Sequence, residues 1–98
     1  MTINKNQYYI VRGNRSGVFA GNIKEQNGAE VTMTNVRCLW YWDGAASLLQ
    51  MAAEGVKYPE KCKFTMTVTE ATIIDAIEIL PCSEKAEKII KEVGEWKR

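Results

Sequence analysis

The dipeptide Asn27-Gly28 stands between two runs of strand-forming residues, 18–25 and 29–34. Asn-Gly is the strongest short hairpin signal, because a type I′ turn requires positive φ at both of its central positions. Another aromatic and β-branched run, at 8–12, precedes this pair and favours a further strand. Gly21 lies inside the second run, where a glycine indicates a bulge or a close backbone approach. The first third of the chain is therefore predicted to fold as antiparallel strands.

Three later segments also favour extended structure. Residues 36–42 continue the strand pattern after Asn35, which can mark a short break. Residues 64–69 alternate apolar side chains with threonine, the pattern of a strand that is buried on one face. Residues 72–80 are rich in isoleucine and are predicted to be a strand, although Ala71–Asp75 also fits a turn of helix.

Two segments show helical periodicity. Residues 44–54 place apolar residues at the spacing of one helical face, with Asp43 as the predicted N-cap and Gly55 as the residue that ends the helix. Residues 83–93 repeat this spacing, and Ser83 is the predicted cap. We therefore predict an α+β fold, in which an antiparallel β-sheet of five or six strands packs with two helices at about 44–54 and 83–93.

The length of 98 residues fits a single domain spanning 1–98. A chain of this size buries only about 60–65% of the surface that its unfolded form exposes, so its core is thin. The three cysteines are odd in number and distant in sequence, the chain has no histidine, and its N-terminus lacks an apolar signal region. We therefore expect free thiols, no metal, no cofactor, a cytoplasmic location, and a homo-oligomer that enlarges the core.

Charge and residue types also limit the function. The net charge is only +1, although residues 1–42 hold five basic and two acidic residues, so we expect no DNA partner but room for a small anion. No apolar run reaches the length of a membrane span. Asp75 and Glu78 are predicted to lie on opposite faces of one strand, and Cys82 has no nearby base. We therefore expect a binding protein and not an enzyme.

A turn with two arginines is the first candidate site. Arg12 and Arg15 flank Gly13-Asn14, and Ser16-Gly17 follows. Arginine forks, a hydroxyl and backbone N–H groups exposed by glycines can together hold a phosphate. The alternative is a hairpin turn that only faces solvent.

The aromatic run Arg37-Cys38-Leu39-Trp40-Tyr41-Trp42 is the second candidate site. Strand alternation predicts Trp40 and Trp42 on one face, and Tyr41 on the other face beside Arg37. Exposed aromatic rings near an arginine stack purine bases, and Phe64 on a later strand is a further candidate for stacking. The alternative is that these rings form core and an oligomer interface.

The block Arg37-Cys-Leu-Trp-Tyr-Trp-Asp-Gly-Ala-Ala-Ser-Leu-Leu-Gln-Met-Ala-Ala-Glu-Gly-Val56, followed by Pro59-Glu-Lys-Cys-Lys-Phe64, resembles a small phage and prophage protein family. The segments Ser16–Gly21 and Ile77–Cys82 fit the same pattern. In size, in strand-then-helix order and in phage setting, the chain is also similar to anti-Thoeris sponge proteins. This similarity implies a cytoplasmic protein of an infected or lysogenic bacterial host that sequesters a cyclic ADP-ribose signal without cleaving it.

The expected site for such a cyclic nucleotide combines both candidate clusters. Arg12, Arg15 and Ser16 would hold the diphosphate. The adenine would stack on Trp40, Tyr41, Trp42 or Phe64, with Arg37 nearby. One alternative is a small phage inhibitor that binds a host protein through exposed aromatics. Another is an enzyme that degrades the signal.

Overall fold

A computed structural model describes residues 2–97 of the chain. Six strands and two α-helices follow each other along the sequence, with a short 3-10 helix at Pro59–Lys61 before the fourth strand. The elements are β1 (Tyr8–Gly13), β2 (Val18–Asn27), β3 (Glu30–Tyr41), α1 (Leu48–Glu54), β4 (Lys63–Phe64), β5 (Val68–Ile73), β6 (Ala76–Pro81) and α2 (Glu84–Glu92). The predicted α+β class, with an antiparallel six-stranded sheet and two helices, is confirmed.

The sheet has the order β4-β3-β2-β1-β6, and β5 also pairs with β3. The continuous segment Val68–Pro81 therefore pairs with β3 in its first half and with β1 in its second half. The N–H of Ala76 donates to the carbonyl of Ala29 at 3.0 Å, which ties this segment to the tip of the β2–β3 hairpin. The sheet consequently curls, because one segment connects its two ends.

The predicted strands 64–69 and 72–80 are divided differently in the structure. The chain leaves the ladder between β4 and β5, and it turns at Ile74-Asp75 between β5 and β6. Asp75 therefore lies in a turn and not in a strand, so the prediction that Asp75 and Glu78 alternate across one strand is wrong. The turn is required because β5 and β6 pair with different partners.

The β2–β3 hairpin confirms the turn at Asn27-Gly28 but changes its type. Asn27 pairs with Glu30, so Gly28 and Ala29 are the two central residues. Only Gly28 has positive φ, at 61°, which fits a type II′ turn. A bulge lies farther along the hairpin, where Asn35 has a φ of 48°.

Gly21 allows the strands to approach closely at this bulge. A Cβ atom on Gly21 would lie 2.8 Å from the carbonyl oxygen of Thr34 and 2.9 Å from Cα of Val36. The predicted close approach at Gly21 is therefore confirmed, and β3 runs through Asn35 without ending there.

Helix α1 begins four residues later than predicted. Its N-cap is Ser47, whose side-chain oxygen accepts from the N–H of Gln50, and not Asp43. Gly44 has a φ of 95°, outside the helical region, and its carbonyl accepts from the N–H of Lys57 at 3.1 Å. Helix α2 agrees with the prediction, since Ser83 caps it through the N–H of Ala86.

Apolar side chains pack on both faces of the sheet. One core lies between the sheet and the helices and includes Tyr8, Ile10, Leu39, Met51, Phe64 and Ile90. The other core is built from strand residues and includes Tyr9, Val11, Ile23, Val31, Met33 and Ile73. The curled sheet thus buries apolar side chains on both of its faces, so we expect a binding site at its ends and edges.

Candidate functional site

The arginine turn between β1 and β2 already holds a carboxylate. Asp75 accepts from the backbone N–H groups of Arg15 at 2.7 Å and Ser16 at 3.0 Å, and from the Ser16 hydroxyl at 2.5 Å. The Ser16 hydroxyl and then the Arg15 N–H lower the pKa of Asp75, since both favour the charged carboxylate. The donors that were predicted to hold a phosphate therefore hold the carboxylate of Asp75. The N–H and the hydroxyl of Ser16 are both engaged in this way, so Ser16 is not available to a ligand in this structure.

Arg12 and Arg15 keep part of their binding capacity. Arg12 Nε donates to Glu78 Oε1 at 3.0 Å, and the two side chains are 46% and 31% exposed. Within residues 2–97 the terminal nitrogens of Arg12 have no hydrogen-bond partner, and neither has the exposed Arg15 guanidinium. Glu78 thus orients the Arg12 fork while leaving its outer end open.

Arg12 and Trp42 line the same cleft at the end of the sheet. The cleft has a volume of about 380 Å³, and its other lining residues are Val18, Ser47, Leu48, Leu49 and Glu78. Trp42 is half-buried and packs against the core between the sheet and the helices. One residue from each predicted cluster therefore reaches this cleft.

Trp40 and Trp42 do not share a face, so that prediction is wrong. Strand β3 ends at Tyr41, and the alternation of side chains no longer applies to Trp42. Trp42 packs against the helix-side core, whereas Trp40 is 59% exposed at the edge of the sheet. Sequence parity cannot detect this change, because it depends on where the strand stops.

Arg37 is buried and binds backbone carbonyls instead of a ligand. Its guanidinium donates to the carbonyl of Ile90 in α2 and to those of Val93 and Gly94 just after it. It also donates to the carbonyls of Phe64 and Thr65, and the five bonds measure 2.8–3.4 Å. Burial lowers the pKa of Arg37, and the charges of Tyr8 and Glu95 oppose this effect. All three nitrogens are engaged, so Arg37 is not available for the predicted ligand contact.

Phe64 also lies outside any accessible site. Its side chain is fully buried, and the Arg37 guanidinium carbon lies 5.5 Å from its ring centroid. A base would have to displace this guanidinium to stack on Phe64. The predicted stacking role of Phe64 is therefore wrong for this structure, because the ring belongs to the core.

An exposed aromatic surface lies at the β3–β4 edge. The rings of Trp40 and Trp96 stack with centroids 4.9 Å apart and an interplanar angle of 17°. Lys63 Nζ lies 5.5–5.9 Å from the ring centroids of Trp40, Tyr41 and Trp96. Sequence reasoning identified Trp40 and Tyr41 but missed Trp96, whose only signal was one large aromatic in a charged C-terminal segment.

The thiols are poorly suited to nucleophilic chemistry. Cys38, Cys62 and Cys82 are free. Burial raises the pKa of each thiol, and burial followed by the charge of Glu87 raises the pKa of Cys82 to about 12.

Within residues 2–97, no three side chains of the metal-binding types come together, and no helix is long and apolar enough to cross a membrane.

Comparison with known proteins identifies a family for most of the chain. Residues 6–90 match the model of a family described as a Domain of unknown function (DUF6948). No curated protein and no solved structure matches the chain. The matched range includes Arg12, Arg37 and Trp42 but ends before Trp96.

Proposed function

We propose a binding function for this chain, which belongs to the DUF6948 family of domains of unknown function. The protein is a phage-type immune-evasion protein that binds a cyclic nucleotide signal of the cyclic ADP-ribose class and sequesters it without cleaving it. The observation that carries this proposal is the convergence of Arg12 and Trp42 on one cleft of about 380 Å³. Pockets for small ligands start at about 300 Å³ and combine apolar walls with a few polar groups.

The cleft provides one group for each part of a nucleotide. The half-buried ring of Trp42 stacks the base. The terminal nitrogens of Arg12 bind a phosphate as a fork, because Glu78 holds only Nε. The Ser47 oxygen accepts from Gln50, so its own hydroxyl proton is available for a phosphate or ribose oxygen. Arg15, on the adjacent turn, supplies a second positive charge.

Retention without cleavage requires no acid–base group. The chain has no histidine, and burial raises the pKa of each thiol, so neither an imidazole base nor a thiolate nucleophile is supplied at neutral pH. The similarity to anti-Thoeris sponge proteins supports the same kind of function. A protein of this kind returns its ligand intact when it unfolds.

Tight binding requires more binding free energy than the groups of a single protomer supply. Two charged hydrogen bonds contribute about 3–6 kcal/mol and one stacked base about 1–3 kcal/mol. Their sum of about 4–9 kcal/mol can reach the roughly 8 kcal/mol of micromolar binding but not the roughly 12 kcal/mol of nanomolar binding. A homo-oligomer in which a second protomer covers the open cleft would exclude water and add contacts, so we include self-association in the proposal.

A sequestration assay tests this function. The protein is incubated with cyclic ADP-ribose isomers or cyclic oligonucleotides and filtered, and the filtrate is assayed before and after the protein is heated. We expect one cyclic ADP-ribose isomer to disappear and to return intact on heating, and light scattering to show an oligomer. Loss of the signal with no recovery would indicate an enzyme, and no loss of any ligand would refute the proposal.

Matched variants locate the site. Arg12→Ala and Trp42→Ala should each weaken retention by at least tenfold, about 1.4 kcal/mol. Lys24→Ala controls for Arg12, since Lys24 forms a comparable exposed ion pair with Glu70 at 3.2 Å. Trp40→Ala controls for the loss of a tryptophan outside the cleft. Equal effects of the control and cleft variants would place the ligand elsewhere.

The alternative is a small phage inhibitor that binds a host protein, with the exposed Trp40 and Tyr41 as anchors. It predicts that no nucleotide is retained in the sequestration assay. It also predicts that the cleft variants Arg12→Ala and Trp42→Ala keep full inhibitory activity. The same set of proteins therefore separates the two functions.

A further inference from the structure

Four aromatic rings and three lysines form two neighbouring groups, one around Lys63 at the β3–β4 edge and one around Tyr58 at the 3-10 helix. This aromatic–lysine strip consists of Trp96, Trp40, Tyr41 and Tyr58 with Lys63, Lys61 and Lys57. We propose that the strip binds single-stranded nucleic acid without sequence preference, which departs from the expectation, drawn from the net charge of +1, that the chain has no DNA partner. This binding is independent of the Arg12–Trp42 cleft, since the two sites share no residue.

The two groups of the strip are carried by elements that follow each other in the chain. Tyr41 pairs with Lys63 in the β3–β4 ladder, and Trp40 stacks on Trp96 beside the same lysine. Lys61 precedes β4 by two residues, and its Nζ lies 5.0 Å from the ring centroid of Tyr58. Only Cys62 separates Lys61 of the Tyr58 group from Lys63 of the Trp40 group, so the two groups are neighbours along the chain.

Three rings and the three lysines of the strip are exposed, and Trp96 is half-buried. Trp40 is 59% exposed, Tyr41 48% and Tyr58 40%. Lys57, Lys61 and Lys63 are exposed, and none of them has an ion-pair partner within the described residues. Rings with free ammonium groups between them fit bases that stack and phosphates that lie between the bases.

A single-stranded polyanion fits this composition better than a protein partner does. Protein interfaces are enriched in tryptophan and tyrosine but depleted of lysine, because burying an ammonium group is costly. Lys63 lies among three rings, so a protein that covered these rings would desolvate its charge. A phosphate would instead neutralise it.

The same residues predict weak sequence and duplex preferences. The strip holds lysines and rings but no arginine, asparagine or glutamine that could read a base edge in a bidentate way. Stacking on the rings requires unpaired bases, which a duplex does not offer. Three phosphate contacts on a single strand predict a slope of about −2 for the logarithm of affinity against the logarithm of salt concentration.

Fluorescence anisotropy with the full chain tests the proposal. The probes are labelled 12-nucleotide oligo-dT and oligo-U, with a duplex of equal length as the comparison. We expect both single strands to bind, the duplex to bind at least tenfold more weakly, and the salt slope to be near −2. No binding of single strands at 100 µM protein, a salt slope near zero, or equal binding of the duplex would overturn the proposal.

Charge-matched variants assign the binding to the strip. Lys61→Glu and Trp40→Ala should each weaken oligonucleotide binding at least fivefold, with unchanged circular dichroism. Lys88→Glu makes the same charge change on the exposed side of α2, and Ile74→Ala removes another exposed apolar side chain, outside both proposed sites. Both controls should stay within twofold, and equal effects of Lys88→Glu and Lys61→Glu would overturn the assignment.

Two further outcomes separate this proposal from the other functions. Lys61→Glu should leave cyclic nucleotide retention unchanged, so the failure of either binding activity does not imply failure of the other. Capture of a host protein that Trp40→Ala abolishes, in a chain that binds no oligonucleotide, would overturn the proposal in favour of a protein partner.

Discussion

Replacement of Arg37 by alanine should remove the contact that fixes the C-terminal segment on the sheet. The guanidinium donates to Val93 at 2.8 Å, Thr65 at 2.9 Å and Ile90 at 3.0 Å, with longer bonds to Phe64 and Gly94. Ile90 and Val93 lie at the end of α2, where the Ile90 carbonyl accepts from the backbone only a long bond of 3.4 Å, donated by the N–H of Val93. The side chain thus completes the hydrogen bonding of these carbonyls and places a positive charge where the helix dipole favours one.

The expected loss of stability follows from the three short bonds. A hydrogen bond to a charged group contributes about 1.5–3 kcal/mol, and a buried carbonyl left without its donor costs about 1–3 kcal/mol. The variant no longer buries a guanidinium, and this relief offsets part of the loss. We therefore expect Arg37→Ala to lower the free energy of unfolding by about 3 kcal/mol, which lowers Tm by about 12–24 °C for a chain of this size.

Urea unfolding of the two proteins measures this difference. Arg12→Ala is the matched control, since its ion pair with Glu78 is partly exposed and should cost less than about 1 kcal/mol. Arg37→Lys should restore less than half of the loss, because one ammonium cannot reach the acceptors on both segments, 64–65 and 90–94. A loss below 1 kcal/mol for Arg37→Ala, or full restoration by lysine, would refute the reasoning.

Three further predictions concern the arginine turn and the thiols. Gly13→Ala should destabilise the fold by about 2 kcal/mol in urea unfolding, because its Cβ would meet Ser16 Oγ at 1.9 Å and Asp75 Oδ1 at 2.6 Å. Because the pKa of Asp75 is lowered in the folded state, its carboxylate stabilises the fold at pH values above the unfolded pKa, and this stabilisation is lost as the pH falls through the folded pKa. Asp75→Asn should therefore flatten the acid side of a curve of unfolding free energy against pH. An unchanged curve would contradict this. Cys82, with a pKa raised to about 12, should react with a thiol reagent at pH 8 only on unfolding, and rapid reaction of the native protein would contradict its burial.

Local chemistry allowed much of the fold to be predicted from the sequence. The hairpin at Gly28, the close approach at Gly21 and the cap at Ser83 each depend on one residue type and its immediate neighbours. Helix α1 was placed too early because periodicity does not reveal that Gly44 has positive φ. Ser47 also fits a cap, so the residue types allowed two start points.

The candidate site was harder to predict, because its residues were sorted by contacts that are distant in sequence. The sequence indicated that the turn at Ser16 could hold a phosphate. In the structure its donors hold the carboxylate of Asp75, about sixty residues later in the chain. Arg37 has the residue type of a ligand-binding group, yet its partners are carbonyls near the C-terminus. Carbonyls have no residue type, so no sequence pattern indicates them.

Arg37 nevertheless links the core to the surface that we propose binds nucleic acid. Its bonds to Val93 and Gly94 hold the chain just before Trp96. The backbone N–H of Trp96 donates to the carbonyl of Phe64 at 2.8 Å. These contacts place the indole of Trp96 on Trp40 and beside Lys63. A buried arginine therefore positions the rings of Trp96 and Trp40 on the surface that we propose binds nucleic acid.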